Sequence, residues 1–107
     1  MSMASAGNPQ GWRAGREPGQ NALEVVTIDR TYVLPWTQFL YAEGGADEVR
    51  LVFATHDVLA RGAGLDALLA DVAAQRLVGL SEPARAERFG VGRDRCIREL
   101  SVRKAES

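Results

Sequence analysis

Residues 47–62 read DEVRLVFATHDVLARG, and this stretch decides the fold class. Val49, Leu51 and Phe53 stand at every second position, which is typical of a strand with one face better buried than the other. Threonine, histidine and aspartate are at home in turns, so residues 55–57 predict a hairpin turn with a second strand over 57–61. The alternative is one long bent strand through the whole stretch. Either way, the pattern indicates a β-sheet with one covered face.

The next segment along the chain has helical spacing. Asp66 stands in its first turn and Arg76 in its last, and both charges agree with the helix dipole. The spacing predicts an amphipathic helix over 65–77 with an apolar stripe formed by Leu65, Leu68, Leu69, Val72, Ala73 and Leu77. Beyond it, residues 81–90 (SEPARAERFG) are compatible with a short second helix, and residues 95–104 (RCIRELSVRK) predict a final strand.

Upstream of the opening stretch, β-branched residues predict a strand over 23–34 with a bend at Asp29 and Arg30. Residues 35–45 (PWTQFLYAEGG) carry two signals. Trp36, Phe39 and Leu40 have helical spacing, whereas tryptophan, threonine, phenylalanine and tyrosine all favour strands. The glycine pair before the next strand suits a hairpin, so we favour a strand over 37–43.

The first 22 residues contain glycine, proline, serine, asparagine and glutamine with few apolar side chains. Such a segment cannot bury enough surface to offset its ordering entropy, so residues 1–22 are predicted to be a disordered tail. Trp12 is the exception, an aromatic side chain that could attach the tail to the domain or to a partner. The remaining residues, 23–107, are predicted to form a single domain.

The predicted order of elements is four strands, a helix, a short helix and a strand. This order indicates an α+β domain: a small antiparallel sheet of about five strands, with one main amphipathic helix and the short second helix packed on one face. A sheet covered on one side leaves its other face open. We therefore expect Trp36, Tyr41 and Tyr32 to serve as aromatic anchors of an interface on that open face.

Composition excludes several classes of protein. The chain has 107 residues, of which 25% are charged, and a net charge of −1, so no overall charge attracts nucleic acid or an acidic membrane. No apolar run reaches the length of a membrane helix, and no apolar stretch typical of a secretory signal begins the chain. The single cysteine cannot form an internal disulfide. We expect a cytoplasmic protein without contact to a membrane.

The motif Gly62-x-Gly64-x-x-Ala67 matches a relaxed form of the dinucleotide-binding fingerprint. It follows a predicted strand and opens a helix, whose N-terminal amides could hold an anion. The chain has room for only one such unit, and glycines at a strand-to-helix junction are common for conformational reasons alone. We therefore interpret the motif as a turn and keep Gly62 and Gly64 as secondary anion-binding candidates.

The C-terminal segment supplies the other anion-binding candidates. Residues 85–107 carry seven basic residues against four acidic ones, and Arg93, Arg95 and Arg98 lie among them. Such a cluster could contact phosphates. The segment lacks a recognition motif and has only Phe89 as a stacking partner, which argues against nucleic acid. A solvated face, or a patch that meets acidic residues of a second subunit, accounts for the cluster better.

His56 and Cys96 are the residues with reactive side chains. The chain has no second histidine, so His56 beside Asp57 does not predict a metal site. A dyad of Cys96 and His56 would also need an orienting group and an oxyanion hole, which the sequence does not indicate. We expect no catalytic residue, no metal and no cofactor, with His56 in a turn and Cys96 as a buried apolar side chain.

Three segments together resemble a pattern found in small uncharacterised bacterial proteins. They are YVLPWTQFLYAE at 32–43, LVFATHDVLARG at 51–62 and LDALLADVAAQRL at 65–77. In that pattern a Leu-Pro-aromatic segment precedes a Phe-x-Thr-His strand pair and a leucine-rich helix. The resemblance covers residues 32–80 and implies one intact domain, with no activity attached.

Two function classes follow from these observations. The first is a non-enzymatic protein-interaction or assembly module, with a homodimer as one of its forms. The alternative is a nucleotide- or nucleic-acid-binding protein that uses the turn from Gly62 to Ala67 or the C-terminal arginines. The aromatic residues favour the first class.

Overall fold

A computed structural model describes residues 11–15, 21–83 and 95–105 of the chain. Within these ranges the chain forms eight strands in two four-stranded sheets, one α-helix and one short 3-10 helix. In chain order the elements are β1 (Trp12–Ala14), β2 (Ala22–Val26), β3 (Thr31–Pro35), the 3-10 helix (Trp36–Gln38), β4 (Phe39–Gly44), β5 (Glu48–Phe53), β6 (His56–Ala63), α1 (Asp66–Ala73), β7 (Leu77–Ser81) and β8 (Cys96–Lys104).

Sheet 1 has the strand order β1-β7-β2-β3 and sheet 2 has the order β4-β5-β6-β8. All neighbours in sheet 2 are antiparallel. In sheet 1 β7 lies parallel to β2 and antiparallel to β1. The chain passes from sheet 1 to sheet 2 through the 3-10 helix, so β3 and β4 are consecutive strands on the edges of different sheets.

The core lies between the two sheets and is closed by α1. Away from the bulges in the ladders, alternate residues of the strands point inward, as the period of two requires. Leu68 of α1 and Leu65, which directly precedes the helix, are fully buried in this core. The inward residues of the strands include Leu23 and Val25 of β2, Leu34 of β3, Val49, Leu51 and Phe53 of β5, Val58 and Ala60 of β6, Leu80 of β7 and Leu100 of β8.

The predicted α+β fold with one five-stranded sheet is therefore wrong. Within the described residues the chain is mostly β, and its two sheets pack against each other instead of one sheet carrying helices on a single face. Sheet 1 was missed because β7 is distant in sequence from both strands with which it pairs. β7 in particular lies between β1 and β2, and pairings of this kind leave no local signal.

The main helix is shorter than the apolar stripe predicts. It ends at Ala73, and Gln75 has a left-handed backbone with a φ of 61° that turns the chain away. Leu77 fits the helical spacing but begins β7 instead. The short helix predicted over 81–90 falls largely outside the described residues, and Ser81 at its start belongs to β7.

The hairpin predicted around residue 55 is present, but its turn lies earlier. β5 ends at Phe53 and β6 begins at His56, so Ala54 and Thr55 make the turn. His56 and Asp57 are strand residues. The ambiguous segment around residue 37 contains both predicted structures, a 3-10 helix over Trp36–Gln38 followed by β4.

The prediction of a disordered tail over 1–22 is wrong for residues 11–15 and for Ala22, which begins β2. β1 pairs with β7, and Trp12 opposite Leu80 is only 2% exposed. The indole nitrogen of Trp12 donates a hydrogen bond to Asp71 of α1 at 3.0 Å. Residues 1–10 and 16–20 lie outside the described residues. A single domain over 23–107 stays a prediction, although β1 belongs to the same core.

Within the described ranges no helix has the length and apolar character that crossing a membrane requires.

Candidate functional site

An apolar groove of about 600 Å³ runs between α1 and the segment from the 3-10 helix into β4. The first helical turn is tied to the β4–β5 turn, because the amide of Leu65 donates to the carbonyl of Ala46 at 2.9 Å. The other end of the helix reaches the start of β4, so α1 and β4 run antiparallel with the groove between them. Its apolar walls are Trp36, Phe39 and Ala42 on one side and Leu69, Val72 and Ala73 on the other.

The strand wall of this α1–β4 groove rests on three aromatic rings. The rings of Trp36 and Phe39 meet edge to face with centroids 5.1 Å apart, and Phe53 lies 5.5 Å from Trp36 and 5.4 Å from Phe39. Phe53 is buried in the core, so it fixes the other two rings. Edge-to-face pairs at these distances are favourable beyond the area they bury. The aromatic side chains of the strand wall are therefore held in place before a ligand binds.

The helix wall comes from a second apolar face of α1. Leu68 points into the core and is fully buried, whereas Leu69 and Val72 are half-buried and line the groove. The predicted apolar stripe includes Leu69 and Val72 together with the buried Leu65 and Leu68. In the sequence the core-facing and the groove-facing residues belong to one apolar stripe. Only the position of β4 determines which of them line the groove.

The polar groups of the groove are Thr37 and Gln75, and none of its described lining residues carries a charge. The groove is thus suited to a neutral, largely apolar ligand with few hydrogen-bonding groups.

Gln75 occupies the position after the helix where glycine is most common. Its amide donates to the carbonyl of Val72 at 3.0 Å, and the amide of Arg76 donates to that of Asp71 at 3.0 Å. These two bonds are a Schellman motif, which requires a left-handed backbone at Gln75. A residue with a side chain is unfavourable in that conformation. The glutamine that lines the groove at this position therefore lowers the stability of the fold.

We expect Gln75→Gly to stabilise the fold by about 0.5–1 kcal/mol, because glycine adopts the left-handed conformation without strain. Ala74→Gly is the matched control, since Ala74 has an ordinary helical φ of −82°. That change should destabilise the fold by about 0.5–1 kcal/mol. Urea unfolding of both variants measures the difference, and equal losses in the two would show that Gln75 is not strained.

The three predicted interface aromatics do not share one sheet face. Trp36 lines the groove, and Tyr41 lies on the outer face of β4 with 47% of its surface exposed. Tyr32 points inward from β3 and packs edge to face on His56, with centroids 5.7 Å apart. Tyr32 is therefore placed as a packing residue. Both sheets keep an outer face, but the three aromatic residues are divided among the groove, the outer face of sheet 2 and the inner face of sheet 1.

The glycine motif has a conformational cause at both of its glycines. Gly64 has a φ of 64° at the turn into α1. The backbone carbonyl oxygen of Cys96 lies close to Gly62, and a Cβ atom at Gly62 would overlap that oxygen. The backbone thus accounts for both residues without an anion.

The start of β8 runs beside this turn, because Gly62 pairs with Ile97 and Ala63 with Cys96. Arg95 and Arg98 are exposed in this part of β8, and Arg93 lies outside the described residues. Cys96 and His56 lie far apart. Cys96 pairs with Ala63 at one end of the β6–β8 ladder, and His56 pairs with Lys104 at the other. Across the described ranges no three histidine, cysteine or acidic side chains are placed to hold a metal ion.

The outer face of sheet 2 carries alternating charges. In one row Arg61 of β6 lies between Glu48 of β5 at 3.2 Å and Glu99 of β8 at 3.9 Å. Elsewhere on the same face, Arg50 of β5 forms ion pairs with Glu43 of β4 at 3.7 Å and with Asp57 of β6 at 2.8 Å. The hydrogen bond to Asp57, together with its charge, raises the pKa of Arg50. These exposed pairs align the strands and add little stability each.

No protein-family model matches the chain, and the searches of curated proteins and of solved structures also give no significant match.

Proposed function

We propose that this chain is a non-enzymatic interaction module that binds an extended segment of a partner protein in the α1–β4 groove. The partner segment adds to the edge of β4 that no described strand covers, and its alternate apolar side chains enter the groove. The observation that carries the proposal is the position of the groove beside a sheet edge.

The edge of β4 supplies a backbone-recognition surface. β4 pairs with β5 on one side and ends the order of sheet 2 on the other. Its register is regular from Tyr41 to Gly44, after a bulge at Leu40. Unpaired amides and carbonyls along such an edge bind an added strand through main-chain hydrogen bonds. An edge alone would accept any strand, so specificity must come from neighbouring side chains.

The groove supplies that specificity. An added strand presents every second side chain to the same face as Phe39 and Ala42, which line the groove together with Leu69 and Val72. The volume of about 600 Å³ accommodates one or two large apolar side chains. Leu40 is 61% exposed and Tyr41 47% exposed on the same strand, and both offer further apolar contact to a bound segment.

The composition supports a cytoplasmic location for this role, because one cysteine cannot form an internal disulfide.

A display library of random peptides, selected on the immobilised full chain, tests the proposal. We expect the enriched peptides to share large apolar residues at alternate positions. Trp36 provides the readout for individual synthetic peptides, because a bound side chain would shift the fluorescence of an indole that lines the groove. Val72→Lys should weaken this binding about tenfold or more, since it places a charge in an apolar site.

Ala70→Lys is the matched control, because Ala70 is exposed on the same helix and does not line the groove. This variant should bind like the unmodified chain. Selection without a shared pattern, or equal binding by the two lysine variants, would contradict the proposal.

A further inference from the structure

β8 is the longest strand of the described chain and lies at the end of sheet 2. It pairs with β6 from His56–Lys104 to Ala63–Cys96. Across the described ranges no strand pairs with its other side. The ladder has a bulge at Arg98 and is regular from Glu99 to Lys104. A regular strand with one unpaired edge is a template for a second strand.

The outer face of β8 carries a self-complementary pattern. Glu99, Ser101 and Arg103 stand two residues apart and point to the same side, opposite Arg61, Leu59 and Asp57 of β6. Glu99 is paired with Arg61 within the chain. Among the described residues Arg103 makes no ion pair, although its register partner Asp57 is bound to Arg50. The strand thus presents an acid and an unpaired base at equal distances from Ser101.

We infer that the chain forms a symmetric dimer in which β8 pairs antiparallel with β8 of a second copy about Ser101. In this register Glu99 lies opposite the partner's Arg103, and Arg103 lies opposite the partner's Glu99. The dyad creates both pairs at once, as an isologous interface requires. On the inner face Leu100 meets the partner's Val102, so the apolar faces of the two sheets stay aligned.

The charges select this register over its neighbours. If the twofold axis passed between two residues, inward-pointing side chains of one copy would lie opposite outward-pointing side chains of the other. Directly opposite residues of antiparallel strands point to the same face, so these registers are excluded. A dyad on Leu100 or Val102 leaves both charges opposite uncharged residues. A dyad on Glu99 or Arg103 places like charges directly opposite, which is destabilising. Among the described residues of β8, the unfavourable contact in the chosen register is Arg98 with the partner's Lys104, at the strand ends.

Pairing about Ser101 also continues the charge pattern of sheet 2. The row Glu48, Arg61, Glu99 would be followed by the partner's Arg103 and the partner's Asp57, so that acids and bases alternate across the joined sheets. Because these groups are exposed, the dimer should weaken as salt is raised. This inference does not depend on the α1–β4 groove, which lies at the opposite edge of sheet 2.

Two charge-reversal variants of the full chain test the inference by sedimentation velocity at a series of concentrations. Glu99→Arg alone places two bases opposite each other at both pairs, and Arg103→Glu alone places two acids opposite each other. Each variant should dimerise about tenfold or more weakly than the unmodified chain. Mixing the two should restore a dimer of one copy of each, because both cross-strand pairs are then of opposite charge.

The thermal midpoints of the two separate variants check that both remain folded, since each change is at an exposed position. Restoration on mixing would establish the register. A monomer at every concentration up to the millimolar range, a dimer that neither reversal weakens, or a mixture that stays monomeric would each overturn the inference.

Discussion

Trp12→Ala is expected to destabilise the fold by about 3–5 kcal/mol, the cost of truncating a large buried aromatic residue. Trp12 is 2% exposed and belongs to the core between the two sheets. Its loss leaves a cavity and removes the hydrogen bond to Asp71, which joins the N-terminal strand to α1. Because domains are typically stable by about 5–15 kcal/mol, this change would remove a large fraction of the total.

Arg13→Ala is the matched control within the same three-residue strand. Arg13 is exposed, and its ion pair with Glu24 at 2.9 Å joins two half-exposed side chains. Such pairs contribute about 0–1 kcal/mol. Urea unfolding of both variants measures the difference: similar losses would mean that Trp12 is not a core residue.

Gly62→Ala is expected to cost about 1–3 kcal/mol or more, because the added methyl group has no space. It would overlap the carbonyl oxygen of Cys96 and lie 3.1 Å from the amide nitrogen of Arg98. Both contacts are with the backbone of β8, so no side-chain rotation can relieve them. The β6–β8 ladder must shift instead.

Gly45→Ala is the matched control, since nothing lies within 4 Å of a Cβ atom at this exposed turn position. It should change stability by less than about 0.5 kcal/mol. Thermal and urea unfolding compare the two variants. If Gly62→Ala were as mild as Gly45→Ala, close backbone approach would not explain this glycine, and an anion-binding role would regain its support.

Strands with an alternating pattern were predictable from the sequence. Residues 48–53 and 96–104 show the period of two along much of their length, and both are strands. The start of α1 was also predictable, because its apolar stripe follows a glycine turn. These signals are local, and they depend on the side chains of one element only.

The division into two sheets was not predictable, because it depends on contacts between distant residues. Trp12 bonds to a residue 59 positions away. The average polarity of the N-terminal segment conceals this one anchoring side chain. The end of α1 was missed for a different reason: Gln75 adopts a conformation that normally indicates glycine or asparagine, so the sequence carries no stop signal there.

The candidate site was only partly visible. Trp36 was singled out as an interface residue, and it does line the groove. Leu69 and Val72 could not be distinguished from core residues, since they share one stripe with Leu68. The charge pattern on sheet 2 also depends on strand register, which the order of charged residues alone does not determine.

The most direct test of binding in the α1–β4 groove is an amide-shift titration of the isotopically labelled chain by nuclear magnetic resonance, using a peptide selected on the full chain. We predict shifts at residues 36–42 and 69–75, together with slowed hydrogen exchange along the free edge of β4 from Tyr41 to Gly44. Added main-chain hydrogen bonds protect those amides. Shifts confined to β8 or to the outer face of sheet 2, with no change in the groove, would contradict the proposed function.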